Sequence, residues 1–216
     1  VYKRQGQETE INAPGPKVTQ EQFQALITQI KNTTSEDTVI VAGSVPNSIP
    51  SDAYAQIAEI TKNTGAKLVV DAEKDLVDTV LPYRPLFIKP NKDELEVMFN
   101  TTVSSDHDVV KYGKEILKKG AQSVIISLGG DGAIYVDEHQ SIKAENPQGK
   151  VINTVGSGDS TVAGMVAGLE SGLSIQDAFK QAVASGTATA FEEDLATRDA
   201  IEKIKSQVTV SVLDGE

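Results

Sequence analysis

The segment 153–164 joins a turn with two glycines to an acidic residue, Asp159, and to an apolar run that predicts a helix. The amides of Gly156, Ser157 and Gly158 would point at one spot at the helix start, where the helix dipole favours negative charge. There Asp159 could take the proton of a substrate hydroxyl while the amides hold a transferring phosphoryl group. Ordinary helix capping explains the same pattern, so the spacing alone leaves both interpretations open.

Residues 89–94 form a second candidate site, because Asn91 and Glu94 stand three residues apart at the start of a predicted helix. Directly or through waters, the two side chains could position hydrated Mg²⁺ between nucleotide phosphates, since Mg²⁺ prefers oxygen ligands and retains water. A Pro-Asn turn followed by acidic residues at a helix start is the alternative interpretation.

A glycine-rich loop follows a predicted strand and consists of Ser127, Leu128, Gly129, Gly130, Asp131 and Gly132. Its small residues would let the backbone approach nucleotide phosphates. Because the loop lacks the G-x-G-x-x-G spacing and a strand is predicted to follow it, a dinucleotide fingerprint is excluded. A plain hairpin with glycines is the alternative.

The alternation of apolar strands with amphipathic helices predicts the scaffold for these sites. The strands cover residues 39–42, 68–70, 86–88 and 124–126, and the helices cover 53–63, 94–99, 108–118, 160–171, 175–189 and 198–206, with a further helix capped by Thr19. Residues 133–136 and 141–144 predict a hairpin at the sheet edge. The pattern implies one domain with a three-layer α/β/α sheet and right-handed crossovers.

Ligands of open parallel sheets bind beyond the carboxyl ends of the strands. Polar or glycine residues stand at five such endings, namely Gly43 with Ser44, Asp71, residues 89–91, residues 127–129, and the turn at Gly156. We expect these endings to converge on one crevice. Small residues in the helix 175–189, such as Ala182 and Gly186, would let an adenine pack there or would let two helices approach closely.

Composition limits the classes of function. The net charge of −11 and the pI near 4.7 argue against nucleic-acid and anionic-membrane partners. The 216 residues contain no Cys, which excludes disulfides and thiolate metal sites and fits a reducing cytoplasm. No apolar run approaches the length of a membrane span.

Together the motifs resemble the signatures of the ribokinase-like (PfkB) carbohydrate kinases. The segment around Asp159 is similar to the family pattern D-T-x-G-A-G-D-x-F/T-x-A/G-G, with Asn153 for the leading Asp and Ser157 for the usual Ala. The resemblance implies a ribokinase-like fold, Asp159 as catalytic base and substrate contact, and the amides of residues 156–158 as the anion hole. The departure at Asn153 bears on a monovalent-cation site that some members build there.

The other two motifs extend this resemblance. Residues 89–94 match the family element K/x-P-N-x-x-E, and residues 127–132 resemble its T/S-L-G-x-x-G nucleotide loop. The resemblance implies ATP and Mg²⁺ as cofactors. ATP would contact the loop, Asn91 and Gly158, and the metal would be held by Asn91 and Glu94.

Two further elements bear on the substrate. Gly43 and Ser44 resemble the start of the G-S-L/V-P element that approaches the sugar phosphate in the phosphosugar kinases of this family, and residues 9–16 are close to T-x-I-N-x-P-G-P. Both point to the branch of 1-phosphofructokinases and tagatose-6-phosphate kinases. The implied activity is ATP-dependent phosphorylation of fructose 1-phosphate to fructose 1,6-bisphosphate. Kinase activity on tagatose 6-phosphate or fructose 6-phosphate, and a non-catalytic nucleotide-binding module, are the alternatives.

The start of the chain predicts a piece of a longer kinase. Residues 1–5 resemble the translation of a transposase adapter and are interpreted as a non-native scar, which leaves 6–216 as the kinase domain. The family's first signature, G-G-K-G-x-N, and most of the lid over the sugar would lie upstream. We therefore expect the C-terminal portion of the fold, no activity of these residues alone, and a homodimer as an option for the full-length parent.

Overall fold

The computed structural model describes residues 15–213, together with the backbone of strands β1 (Tyr2–Arg4) and β2 (Gln7–Thr9). These two strands pair with each other in an antiparallel ribbon. The motif at residues 9–16 lies mostly outside the described residues, as do Val1, Gln5 and Gly6 of the chain start. The interpretation of residues 1–5 as a scar stays a prediction.

Seven strands form the main sheet, and eight helices pack on it within the described residues. The strands are β3 (Thr38–Ala42), β4 (Lys67–Asp71), β5 (Phe87–Ile88), β6 (Ser123–Ser127), β7 (Ala133–Asp137), β8 (Ser141–Glu145) and β9 (Thr209–Val212). The helices are α1 (Gln20–Lys31), α2 (Ala53–Thr64), α3 (Lys74–Val80), α4 (Lys92–Phe99), α5 (Asp106–Lys119), α6 (Ser157–Glu170), α7 (Ile175–Ala190) and α8 (Arg198–Lys205). Each helix in the described region is too short or too polar to cross a lipid bilayer.

The strands lie in chain order from β3 to β9, with β3 to β6 parallel and β6 to β9 antiparallel. The predicted hairpin of β7 and β8 is confirmed, but its placement at the edge is wrong, because β9 pairs with β8 and forms the edge instead. Val212 lies opposite Ile142 in that pairing. The apolar pattern of β9 predicts an extended segment but carries no information on its distant partner.

Strands β4, β5 and β6 are buried on both faces, which explains why they are continuous apolar runs in the sequence, whereas β3 lies at the sheet edge and leaves Ile40 exposed. Along β4, Leu68 and Val70 pack into the core beneath α1 and α2, while Val69 points to the opposite face and packs with α6 and α7. Successive strand residues point to opposite faces, so one short run supplies both cores. The three-layer arrangement predicted from the alternation of elements is confirmed.

Helices α6 and α7 approach each other closely because small residues line their contact. A Cβ atom on Gly164 would lie 3.0 Å from the Cα of Ala182, and one on Gly168 would lie 2.8 Å from the Cα of Ala178. Real Cβ atoms are rarely so near a backbone atom, so these positions exclude a larger side chain. Helix packing is therefore the role of Ala182, whereas Gly186, one turn along α7, also lines the cleft described below.

Candidate active site

The ends of the parallel strands are joined to one another by direct contacts. The amide of Gly43, after β3, donates to the carbonyl of Asp71 at the end of β4 with an N···O distance of 2.9 Å. The ammonium of Lys89, after β5, lies 3.3 Å from a carboxylate oxygen of Asp71. The amide of Ser127, at the end of β6, donates to the carbonyl of Pro90 at 3.0 Å. The predicted convergence on one crevice is confirmed in part: residues at the ends of β5 and β6 and at the start of α6 line the cleft described below, whereas Gly43, Ser44 and Asp71 do not.

Helix α6 begins at Ser157, earlier than the residue 160 predicted from the sequence. Gly156 precedes it with φ of +81°, a left-handed conformation that suits glycine, and supplies no side-chain cap. The amide of Ser157 donates to the carbonyl of Thr154 at 3.2 Å, so this member of the expected anion hole is engaged. The amides of Gly158 and Asp159 have no hydrogen-bond acceptor among the described residues, and they leave two free donors at the helix start.

A buried ion pair lies directly beneath these donors. Lys89 is 7% exposed, and a Cβ atom on Gly158 would lie 3.3 Å from its Nζ and 3.8 Å from Oδ2 of Asp71. Burial raises the pKa of Asp71, the Lys89 ammonium opposes that shift, and the nearby charge of Asp159 adds to it. The glycine at 158 therefore lets the helix start sit against the pair, and Asp159 is close enough to Asp71 for the two carboxylates to repel.

Asp159 itself is exposed to solvent at the rim of this arrangement. An exposed carboxylate can meet the hydroxyl of a bound substrate, whereas the two amides and the ammonium of Lys89 attract negative charge. The group as a whole can hold an anionic phosphoryl group next to a proton acceptor. The sequence motifs gave no role to Asp71 or Lys89. Their positions at the ends of two neighbouring buried strands could nevertheless have identified them as candidate site residues.

A cleft of about 960 Å³ opens beside the start of α6. The predicted nucleotide residues that line it are Ser127, Leu128, Gly129, Gly130, Gly132, Asn91 and Gly158. Asp131 instead lines a neighbouring cavity of about 310 Å³. Helix α7 contributes Gly186 and Thr187 to its lining, and Phe191 follows at the end of that helix.

Asn91 and Glu94 form a reciprocal capping box at the start of α4. The side-chain oxygen of Asn91 accepts from the amide of Glu94 at 2.8 Å, and a carboxylate oxygen of Glu94 accepts from the amide of Asn91 at 2.7 Å. The helix-start interpretation is thus confirmed. An amide oxygen and a carboxylate are also oxygen ligands of the kind Mg²⁺ prefers, so the chemistry of the donor set fits the metal. Asn91 lines the cleft, whereas Glu94 does not. The metal role stays a prediction.

Gly43 and Ser44 lie outside this cleft, at the end of the neighbouring strand. Gly43 has φ of +80°, and its carbonyl accepts from the hydroxyl of Tyr54 at 2.9 Å. Burial, with a smaller contribution from the charge of Asp71, raises the pKa of that hydroxyl. Gly43 is therefore joined by a hydrogen bond to Asp71, which pairs with the cleft residue Lys89.

Comparison with known proteins agrees with this geometry. The family model for the pfkB family of carbohydrate kinases matches residues 1–201. A 1-phosphofructokinase of Bacillus subtilis is 40% identical over 213 residues, which are 99% of this chain and 70% of the relative. A D-tagatose-1-phosphate kinase of Bacillus licheniformis is 33% identical over 214 residues, again 99% of this chain and 70% of the relative.

Solved structures share the fold. A Staphylococcus aureus protein described as a candidate phosphofructokinase is 80% identical with a TM-score of 0.91, over 98% of this chain and 69% of that one. Phosphofructokinase-2 of Escherichia coli, crystallised in complex with substrates and products, is 28% identical with a TM-score of 0.86, over 91% of this chain and 65% of that one. The chain thus spans about two thirds of the length of these proteins.

Proposed function

The chain belongs to the pfkB family of carbohydrate kinases, and from that premise we propose that the full-length protein to which it belongs transfers the γ-phosphoryl group of ATP to the C6 hydroxyl of fructose 1-phosphate, giving fructose 1,6-bisphosphate. The observation that carries the proposal is the start of α6. The amides of Gly158 and Asp159 have no acceptor among the described residues, the ammonium of Lys89 lies close to Gly158, and the carboxylate of Asp159 is exposed.

Each group has a defined part in the proposed reaction. Asp159 accepts the proton of the attacking hydroxyl as its oxygen bonds to phosphorus and the bond to the leaving ADP breaks. The amides of Gly158 and Asp159 and the ammonium of Lys89 stabilise the charge on the phosphoryl oxygens. Asp71 holds Lys89 in place from below. Mg²⁺, when bound, would neutralise charge on the nucleotide phosphates, and Asn91 and Glu94 are the residues proposed to hold it.

The names of two relatives support a ketohexose 1-phosphate as the acceptor. One is a 1-phosphofructokinase and the other a D-tagatose-1-phosphate kinase, which makes D-tagatose 1-phosphate the second candidate substrate. Gly43 and Ser44, at the end of β3 and joined to Asp71 by the amide of Gly43, are the proposed contacts of the sugar phosphate. Tagatose 6-phosphate and fructose 6-phosphate stay as alternatives, as does a module that binds nucleotide without catalysis.

A coupled assay of ADP release in the full-length gene product separates these candidates. We expect the highest kcat/KM with fructose 1-phosphate among the two ketohexose 1-phosphates and the two ketohexose 6-phosphates. A preference for any other of the four sugars would reject the proposed substrate. Calorimetric binding of MgATP without sugar-dependent ADP release would instead support the non-catalytic module.

Several expectations about the setting stay predictions. They concern the kinase domain at 6–216, the lack of activity of these residues alone, a cytoplasmic location, and a homodimer of the parent. The lack of activity follows from the resemblance, since the family's first signature is not present in these residues. Sedimentation of the full-length gene product, with and without ATP, tests the dimer.

A further inference from the structure

The hydroxyl of Ser157 is buried without a partner at the head of α6. Less than 1 Å² of its Oγ is accessible, and it forms no hydrogen bond; among the described residues it is the only buried side-chain polar atom of this kind. Other hydroxyls of the same helix are paired. The hydroxyl of Ser160 lies 2.9 Å from that of Thr189, and the hydroxyl of Thr161 donates to the carbonyl of Ser157 at 2.8 Å.

An unpaired buried hydroxyl lowers stability, typically by about 1–3 kcal/mol. The position in the helix explains why no local partner is available. Ser157 follows the N-cap, so its side chain has left the place from which a capping hydroxyl accepts an amide hydrogen bond. Alanine at this position would fill the same turn without any unsatisfied group.

The main chain of Ser157 is fixed on both sides, so only its side chain is free to respond to a ligand. Its amide donates to Thr154, its carbonyl accepts from Thr161, and a Cβ atom on Gly186 would lie 2.9 Å from that carbonyl. Rotation about the Cα–Cβ bond moves Oγ between staggered positions while the helix stays still.

Ser157 also lines the cleft, together with Gly158 and Lys89. We propose that the Ser157 hydroxyl rotates toward the cleft and donates a hydrogen bond to the terminal phosphate of a bound nucleoside triphosphate. Ser157 then acts through its side chain, whereas its amide stays engaged with Thr154. This inference rests on the proposed function, because it needs a triphosphate at the start of α6.

The test compares Ser157→Ala with the matched control Ser160→Ala, whose hydroxyl is already paired with Thr189. Binding of MgATP and MgADP is measured by calorimetry, and stability without ligand is measured by urea unfolding. We expect Ser157→Ala to weaken MgATP binding roughly tenfold or more, since the lost bond goes to a charged acceptor. MgADP affinity stays unchanged, and the urea midpoint rises because the unpaired hydroxyl is gone. Ser160→Ala lowers the midpoint and leaves the ratio of the two affinities as in the wild type.

Three results would overturn the inference. Unchanged MgATP affinity of Ser157→Ala would show that the hydroxyl does not reach the ligand. Equal losses for MgATP and MgADP would show that it does not address the terminal phosphate. Equal affinity of the wild-type protein for MgADP and MgATP would show that the terminal phosphate makes no such contact, and it would leave the proposed kinase site intact. A wild-type protein that binds neither nucleotide would reject the proposed function itself.

Discussion

The starts of helices α5 and α6 solve the same physical problem in opposite ways. Every helix begins with amides that lack acceptors inside the helix. At α5, Ser105 and Asp108 form a capping box, and Ser104 also donates to the carboxylate of Asp108. At α6, Gly156 offers no side-chain acceptor, and the amides of Gly158 and Asp159 have no acceptor in the part of the chain that the structure describes.

The difference separates a helix start built for stability from one built for a ligand. The closed start satisfies its own donors, and these hydrogen bonds lower the pKa of Asp108 to about 2. The open start leaves donors for an incoming anion and places the ammonium of Lys89 behind them. Helix α4 stands between the two, because Asn91 and Glu94 close its start while Asn91 still lines the cleft.

The largest effect on turnover is expected when the carboxylate at the open start of α6 is replaced. Asp159→Asn removes the proton acceptor and keeps the size of the side chain, so turnover should fall by about 10²–10⁴-fold while MgATP affinity persists. Steady-state kinetics and calorimetry on the full-length gene product measure the two quantities. Asp177→Asn is the matched control, since Asp177 holds the same position in the first turn of α7 and faces no cleft residue. Equal turnover of Asp159→Asn and wild type would show that Asp159 is not the catalytic base.

The next effect concerns the ion pair under the open start. Lys89→Met leaves Asp71 buried without its partner, which should cost roughly 3 kcal/mol of unfolding free energy and abolish tight MgATP binding. Adding Asp71→Asn removes the orphaned charge, so the double variant should regain stability without regaining MgATP binding. Urea unfolding and calorimetry give the two readouts. Recovery of binding in the double variant would contradict the phosphate role of Lys89.

A smaller effect comes from the contact that holds α6 in place. Gly168→Ala places a Cβ atom 2.8 Å from the Cα of Ala178, so the helices must move apart at a cost of about 1–3 kcal/mol. Gly130→Ala is the control for stability, because nothing lies within 4 Å of its added Cβ atom. Thermal unfolding compares the two. An unshifted Gly168→Ala midpoint would mean that α6 and α7 tolerate a wider separation.

The smallest expected effect is on the pH dependence of stability, through Asp108 at the closed start of α5. The pKa of Asp108 is about 2 in the folded chain, below its value of about 4 in an unfolded one. Its stabilising contribution is therefore complete above pH 4 and is lost as the pH falls from about 4 to 2. Asp108→Asn should flatten this part of the curve of unfolding free energy against pH. Identical acid limbs for Asp108→Asn and wild type would contradict the capping role.

Local patterns predicted most of the scaffold, because both cores are built from apolar runs. Helix α3 was missed, since it has only seven residues and Glu73 provides no side-chain cap. The pairing of β9 with β8 was missed because register with a distant strand leaves no local mark.

The site was predictable where the chemistry is local and hidden where it depends on tertiary contacts. The glycine turn and Asp159 are contiguous in the sequence, so the role of Asp159 could be proposed from a few residues. The pair of Asp71 and Lys89 comes from separate strands, and only the sheet brings the two charges together. The engaged amide of Ser157 depends on where α6 begins, which the glycines around it obscure.

The most direct test follows the amides of both helix starts by ¹H–¹⁵N NMR as MgATP is added. We expect large shift changes at Gly158 and Asp159, and none at Asp108, whose amide already donates to Ser105. Unchanged Gly158 and Asp159 signals, in the presence of shifts elsewhere in the cleft, would show that the phosphates bind without the open start of α6 and would contradict the account.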